Sequence, residues 1–329
     1  MDMATSPLLQ DRFGRSKRKL RLSLTDRCNF RCRYCMPEHP QWLPGRELMD
    51  RQELVRLATL FVDAGIEEIR LTGGEPLLRK DVVACVAALS RLRERGLKRL
   101  SMTTNGTRLP VLLDDLIEAG LDDLNISLDA VDEVRFQALT RSPLAPVLAG
   151  IERARDRGIA VKLNAVLIQD YNHDQILPLV AWARSRQLPL RFIEYMPLDE
   201  PGRWQADQVV SEAQILGVLE QLHHVQALPR SSNPATQYRL DGDYTVGVIS
   251  TVTRPFCASC DRLRLTANGH LYTCLFSRQG HDLLTPLRSG EDDRALRQRI
   301  TQRVWHKDAG YAATPGPVAR LITMHGMGG

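Results

Sequence analysis

The sequence predicts an α/β fold: a partial, TIM-like (β/α)6 barrel followed by a smaller, β-containing, cysteine-bearing subdomain. Three observations carry this. Short β-like runs alternate with helical runs between residues 20 and 197, the signature of parallel strands joined by crossover helices. The alternation supplies six units, which fits a partial barrel better than the eight of a closed one. Beyond residue 198 the alternation stops, and a β-rich stretch with three cysteines follows.

The strand candidates are LRLSLT (20–25), EIRLTG (68–73), RLSMTT (99–104), DLNISLD (123–129), AVKLNAVLI (160–168) and LRFIEYM (190–196). Between the first two, DRQELVRLATLFVDAG places Asp50 and Glu53 in capping-box spacing and ends on Gly65, a start and a stop for one helix. LPVLLDDLIEAG stops at Gly120 and LAGIERARDRG at Gly158. DVVACVAALS reads as a helix with Cys85 as a small core residue. One further helical run lies near Ser211–Leu222. The expected organisation is an N-terminal tail (1–19), a barrel (20–245) and a C-terminal subdomain (246–329).

Alternate residues of a strand share a face. Leu20, Leu22 and Leu24 share one; Arg21, Ser23 and Thr25 share the other. The same parity groups Arg70 with Thr72, Asn125 with Ser127 and Asp129, and Lys162 with Asn164. Parallel strands covered on both sides read as continuous aliphatic runs, and these do not. Burying unpaired cations is costly, so the polar faces predict a lumen that holds an anionic ligand. Edge strands showing these faces to water are the alternative.

The composition excludes little but is consistent. The 329 residues, 43% hydrophobic, suit a packed interior. No apolar run reaches membrane-spanning length, and the N-terminus lacks the apolar core of a secretory signal, so the expected location is the cytoplasm, away from membranes. The net charge of +5 is mild. The basic cluster Arg15, Lys17, Arg18 and Lys19 reads as a solvated tail rather than a nucleic-acid arm. There is no G-x4-GK[ST] loop of the kind that holds nucleotides in P-loop enzymes.

Six of the seven cysteines form two groups of three, which points to metal or redox chemistry rather than disulfides. The first group, TDRCNFRCRYCM, sets Cys28, Cys32 and Cys35 in C-x3-C-x2-C spacing directly after the first strand, at the barrel end where active sites gather. Three thiolates can hold three irons of a [4Fe–4S] cluster and leave the fourth open; structural zinc wants four ligands. The second group is Cys257 and Cys260, then Cys274. Asn268-Gly269 signals a hairpin that returns Cys274 towards the other two. Arg262 and Arg264 share a strand face beside them, and paired guanidinium groups suit a phosphorylated ligand. A zinc knuckle completed by His270 or His281 is the competing reading of this spacing.

The C-x3-C-x2-C loop, with Tyr34 before its last cysteine, and TGGEP (Thr72–Pro76) after the second strand resemble the radical S-adenosylmethionine superfamily. With C-x2-C-x13-C, the RLRLT run and the terminal Gly328-Gly329, the chain over about residues 13–329 resembles the GTP 3′,8-cyclase family of molybdenum cofactor biosynthesis. The resemblance implies two [4Fe–4S] clusters, one on Cys28, Cys32 and Cys35 and one on Cys257, Cys260 and Cys274. It implies S-adenosylmethionine against Tyr34, Gly74, Ser127, with Asp129 beside it, and Met196. It implies GTP among Arg21, Arg70, Thr103, Lys162, Arg191, Arg262 and Arg264, with Arg21 and the Gly328-Gly329 tail aiding catalysis. The reaction so implied is hydrogen abstraction at C3′ of the ribose, attack on C8 of guanine, and release of (8S)-3′,8-cyclo-7,8-dihydroguanosine 5′-triphosphate. The implied partners are a reductant protein, a cyclic pyranopterin monophosphate synthase that takes the product, and a second copy of the chain in a homodimer. The alternatives are another radical S-adenosylmethionine enzyme with an auxiliary cluster, and a non-catalytic zinc-binding protein.

Overall fold

The computed structural model describes residues 8–198, 203–230, 233–311 and 324–328. The six predicted strands form within two residues of their expected ends: β1 (Lys19–Ser23), β2 (Glu68–Thr72), β3 (Arg99–Thr104), β4 (Asp123–Ser127), β5 (Ala160–Leu167) and β6 (Leu190–Glu194). They lie side by side in parallel, in chain order. The connecting helices are α1 (Arg51–Asp63), α2 (Val82–Ser90), α3 (Leu109–Glu118), α4 (Glu133–Thr140), α5 (Ala145–Asp156) and α6 (Ile176–Ser185).

Local chemistry sets these boundaries. Asp50 accepts from the Glu53 N–H while Glu53 accepts from the Asp50 N–H, a complete capping box. Gly65 follows α1 at φ 96°, a left-handed conformation that glycine adopts without a Cβ penalty. The aliphatic strand face packs under the helices: Leu20, Leu22, Ile69, Leu71, Leu100, Leu124, Ile126 and Leu163 are all fully buried with Leu54, Leu57, Phe61, Leu113 and Ile151.

The rest of the chain builds the two flanks of this sheet. After α7 (Glu212–Leu219), β7 (Val225–Ala227), β8 (Thr236–Leu240) and β9 (Tyr244–Ile249) form a meander, and β9 pairs in parallel with β6. At the other edge β10 (Arg262–Leu265) pairs in parallel with β1, followed by the antiparallel β11 (His270–Tyr272) and β12 (His281–Asp282). The result is one 12-stranded sheet, open between β12 and β7. The expected boundary at residue 245 falls inside β9, and the strands beyond it extend the barrel sheet. The C-terminal region is also less β-rich than its sequence suggests, since it carries α8 (Leu284–Arg288), α9 (Asp293–Trp305) and the short α10 (Met324–Met327). α9 packs through Leu296, Ile300 and Val304, three residues spaced four apart among arginines.

The segment expected to be a solvated tail is folded onto the body. Leu9, Asp11 and Lys17 are each 1% exposed. Leu9 N–H donates to the Ala64 carbonyl and Lys17 N–H to the Leu9 carbonyl, closing a small loop. Its charges are buried because they have partners: Asp11 Oδ2 pairs with both Arg15 and Lys17 at 2.7 Å. Residues 1–7 lie outside the described part. No helix among the described residues is long and apolar enough to cross a membrane.

Candidate active site

The polar strand faces enclose a cavity of about 410 Å³, within the ordinary range for small-ligand sites. Both cysteine trios line it. So do Arg21, Tyr34, Arg70, Gly74, Thr103, Ser127, Lys162, Arg191, Met196, Arg262 and Arg264. Every described residue expected at the site, apart from Gly328, is thus in its wall. The candidate fourth ligands His270 and His281 are not.

The first trio sits on the loop after β1, and that loop is zipped to the turn after β2. Gly74 N–H donates to the Thr25 carbonyl (2.8 Å) and Glu75 N–H to that of Arg27 (2.7 Å). A Cβ on Gly74 would stand 2.5 Å from the Asp26 carbonyl oxygen and closer still to that of Arg27. Glu75, which sequence reasoning left without a role, is buried beneath this turn. Its carboxylate accepts from Leu77 N–H, the Thr104 hydroxyl and Asn105 N–H. Burial outweighs these donors and pushes its pKa up to about 7. The Tyr34 hydroxyl donates to Asp129 at 2.8 Å, and Val166 N–H donates to the same carboxylate at 2.9 Å. Burial still raises Asp129 to about 6. The Cys28 thiol is pushed up to about 12 by burial and by Glu75, and burial raises Cys32 and Cys35 as well. A bound metal cation would reverse this shift, because coordination deprotonates a thiol.

The second trio differs. Burial opposes ionisation of Cys260, but Lys307, Arg262 and Lys17, with the Arg262 N–H, bring its thiol down to about 7. β10 carries Arg262 and Arg264 on the cavity face, while Leu263 and Leu265 between them are fully buried. Gly310, at φ 122°, packs where a Cβ would stand 2.7 Å from that of Cys257. The Phe276 and Tyr311 rings stack beside the trio at 4.1 Å.

Between the trios runs a row of like charges. Arg264, Arg21 and Arg70 are register partners on β10, β1 and β2, so three guanidinium groups face the lumen at one level. Like charges directly opposite are destabilising. Arg264 first, then burial, holds Arg21 well below the usual arginine range. Burial, then Arg70, lowers Arg191 to about 10. Asp123 is engaged by Arg99 at 2.6 Å and lies 3.9 Å from Arg70. Among the described residues, buried Arg70 Nη1, Thr72 Oγ1 and Asn125 Oδ1 have no hydrogen-bond partner. Of these the Arg70 guanidinium and the Thr72 hydroxyl can donate, while Asn125 Oδ1 only accepts; orphaned donors in a cationic wall fit an anion such as a polyphosphate.

Among the described residues, no three His, Cys, Asp or Glu side chains gather around a point that one metal ion could fill. The trios therefore do not fit a mononuclear zinc site, whose ligands share one ion. A four-iron cluster takes each thiolate on a separate iron, and six free cysteines in two wall patches fit that donor set. The C-terminal residues reach the same cavity. Met324 N–H donates to the Leu198 carbonyl, and the His325 ring stands edge-on to Trp42. A Cβ on Gly328 would lie 2.6 Å from Thr72 Oγ1 and 3.1 Å from Ser23 Cβ. Gly329 lies outside the described residues.

Residues 22–183 match the radical SAM superfamily model and residues 188–313 the Molybdenum Cofactor Synthesis C model. The chain is similar to a GTP 3′,8-cyclase of Mycobacterium sp. (strain KMS), 43% identical over 99% of this chain and 95% of that one. It is 42% identical to a GTP 3′,8-cyclase of Rhodopirellula baltica, over 99% of this chain and 93% of that one. Among solved structures it resembles Streptococcus suis SuiB bound to S-adenosylmethionine, with a TM-score of 0.56 and 13% identity, covering 85% of this chain and 68% of that chain. That likeness concerns the fold alone.

Proposed function

The chain belongs to the GTP 3′,8-cyclase family of the radical SAM superfamily, and from that premise we propose how its residues divide the work. The enzyme converts GTP to (8S)-3′,8-cyclo-7,8-dihydroguanosine 5′-triphosphate, the first step of molybdenum cofactor biosynthesis, using S-adenosylmethionine and two [4Fe–4S] clusters. In our reading Cys28, Cys32 and Cys35 hold the first cluster, and Cys257, Cys260 and Cys274 the second. Bound there with S-adenosylmethionine, the first cluster supplies hydrogen-atom abstraction from the ribose by reductive cleavage of the sulfonium.

The chain's own residues orient and shield. Tyr34, Gly74, Ser127 and Met196 form the wall for S-adenosylmethionine, and the Tyr34–Asp129 hydrogen bond fixes the cysteine loop against the residues just after β4. Arg21, Arg70, Lys162, Arg191, Arg262 and Arg264 receive the GTP triphosphate, and Thr103 the ribose or base. GTP brings about four negative charges, so several cations are required. The observation that carries this is the Arg264–Arg21–Arg70 row, three like charges in register on adjacent strands, which an anion lying across it would stabilise. Arg21 and Gly328 stand where the nucleotide would be closed in, away from water, and the terminal Gly-Gly pair is assigned to that closure.

In this reading 20–245 is the radical S-adenosylmethionine barrel, which also turns Arg21, Arg70, Thr103, Lys162 and Arg191 towards GTP, and 246–329 adds the second cluster, Arg262 and Arg264, and the Gly-Gly tail. The further partners are a reductant protein, a cyclic pyranopterin monophosphate synthase that takes the product, and a second copy of the chain. Seven free cysteines suit the cytoplasm. The test is anaerobic incubation with GTP, S-adenosylmethionine and a reductant. We expect about eight irons per chain with matching sulfide, and 5′-deoxyadenosine released in step with cyclised product. No 5′-deoxyadenosine above a GTP-free control removes the assignment; two zincs and no iron removes the cluster reading.

A further inference from the structure

Three buried basic side chains converge on the backbone of the second cysteine trio, two from the N-terminal segment and one from the residues after α9. Arg15 donates to the Cys257 carbonyl at 2.9 Å, and also to those of Asp308 (2.8 Å) and Ala309 (2.7 Å). Lys17 Nζ donates to the Cys260 carbonyl at 2.6 Å. Lys307 Nζ donates to the carbonyl of Thr273, the residue before Cys274. Each trio loop is thus held by one cation at or beside its cysteine. Asp11 secures two of the three, through ion pairs with Arg15 and Lys17. Lys17 and Lys307 are 1% and 2% exposed.

This arrangement is not needed to cover a hydrophobic core. Burying an ammonium group costs several kcal/mol unless paired charge repays it, and two such groups stand behind the thiols with the Asp11 carboxylate. Asp11 offsets part of this charge, and a dense anion at the trio would offset the remainder. Low local dielectric lets charges at this depth act on the site with little screening. Cations and hydrogen bonds around a cluster favour its reduced, more negative form.

We infer that Lys17 and Lys307, with Asp11 and Arg15, are positioning residues for the second cluster: they clamp its three cysteine loops and hold positive charge behind them, which raises its reduction potential. This rests on the assignment of that cluster to Cys257, Cys260 and Cys274. It gives the N-terminal segment a task that the sequence, read as a tail, did not suggest.

The test uses the full chain, loaded anaerobically with iron and sulfide. Lys17→Gln and Lys307→Gln keep an N–H donor and remove the charge; Lys17→Arg keeps both. Iron content and a redox titration followed by electron paramagnetic resonance are read for both clusters. We expect each Gln variant to lower the midpoint potential of the second cluster, or to lose iron from that site alone, with the first cluster unchanged and Lys17→Arg near wild type. Full iron with an unshifted second potential overturns the inference, as does an equal change or loss at both clusters, which would mark a general structural role. A wild-type chain with iron at only one trio would instead overturn the cluster assignment beneath it.

Discussion

A carboxylic acid buried with donors on every side is the sharpest residue-scale feature of the site. Glu75 links the turn after β2 to the end of β3 through three accepted hydrogen bonds, yet its pKa stands near 7. A carboxyl in the unfolded chain titrates near 4.3. Between these values the folded chain binds the extra proton, so this group's contribution to stability falls as pH rises from about 5 to 7. Asp129, near 6, acts in the same direction. Glu75→Gln cannot titrate, but its amide N–H2 would face a backbone or hydroxyl donor and leave one bond unmade, at about 1–3 kcal/mol. For the metal-free chain under reducing conditions, we expect the variant to be less stable than wild type by that amount at pH 5. The gap should narrow by pH 8, as wild type alone takes on the charge. Denaturant unfolding at the two pH values measures it, and a widening gap would contradict the sign.

Among elements, the turn after β2 and the cysteine loop behave as one unit. Leu24, Gly74 and Glu75 N–H groups all bond across the junction, and Gly74 has two carbonyl oxygens where a Cβ would go. Because those neighbours are backbone, they cannot swing aside. Gly74→Ala should therefore push the loop away, costing about 1–3 kcal/mol. It should lose iron from the first trio and S-adenosylmethionine binding while the second site keeps its iron; iron counts and equilibrium dialysis decide. The glycine pair was legible in the sequence as a place of close approach, and so was the lumen, because strand parity put Arg21, Arg70 and Lys162 on one face. What did not show was pairing decided far along the chain. Nothing in Arg262–Leu265 or Tyr244–Ile249 says that they flank β1 and β6, since edge pairing is non-local. Arg15 and Lys17 read as solvated because charge burial depends on partners, and beyond Asp11 theirs are the carbonyls of Cys257, Cys260, Asp308 and Ala309, far along the chain. The helix α9 was missed because Leu296, Ile300 and Val304 are spaced four apart within a run dominated by charge.

For the whole molecule, the chain's last described residues return to its first strand. Gly328 adopts φ 86° against Ser23 of β1 and Thr72 of β2, and Arg264 Nη1 on β10 reaches its carbonyl at 3.5 Å. The tail therefore sits where the strand carrying the first trio meets the strand next to the second. A left-handed φ costs a residue with a side chain roughly 1–2 kcal/mol, and the Thr72 hydroxyl leaves no room for one. Among the described residues, none of the first trio's hydrogen bonds runs through Gly328, whereas Arg264 of the arginine row reaches its carbonyl. Removing Gly328-Gly329 should then leave S-adenosylmethionine cleavage nearly intact. The nucleotide would be less fixed after abstraction, and cyclised product per 5′-deoxyadenosine should fall by roughly tenfold or more, equivalent to about 1.4 kcal/mol. Both products can be counted in one reaction by chromatography. An unchanged ratio would show that the tail only lies against the lumen, and a parallel loss of both would place its role at the first cluster instead.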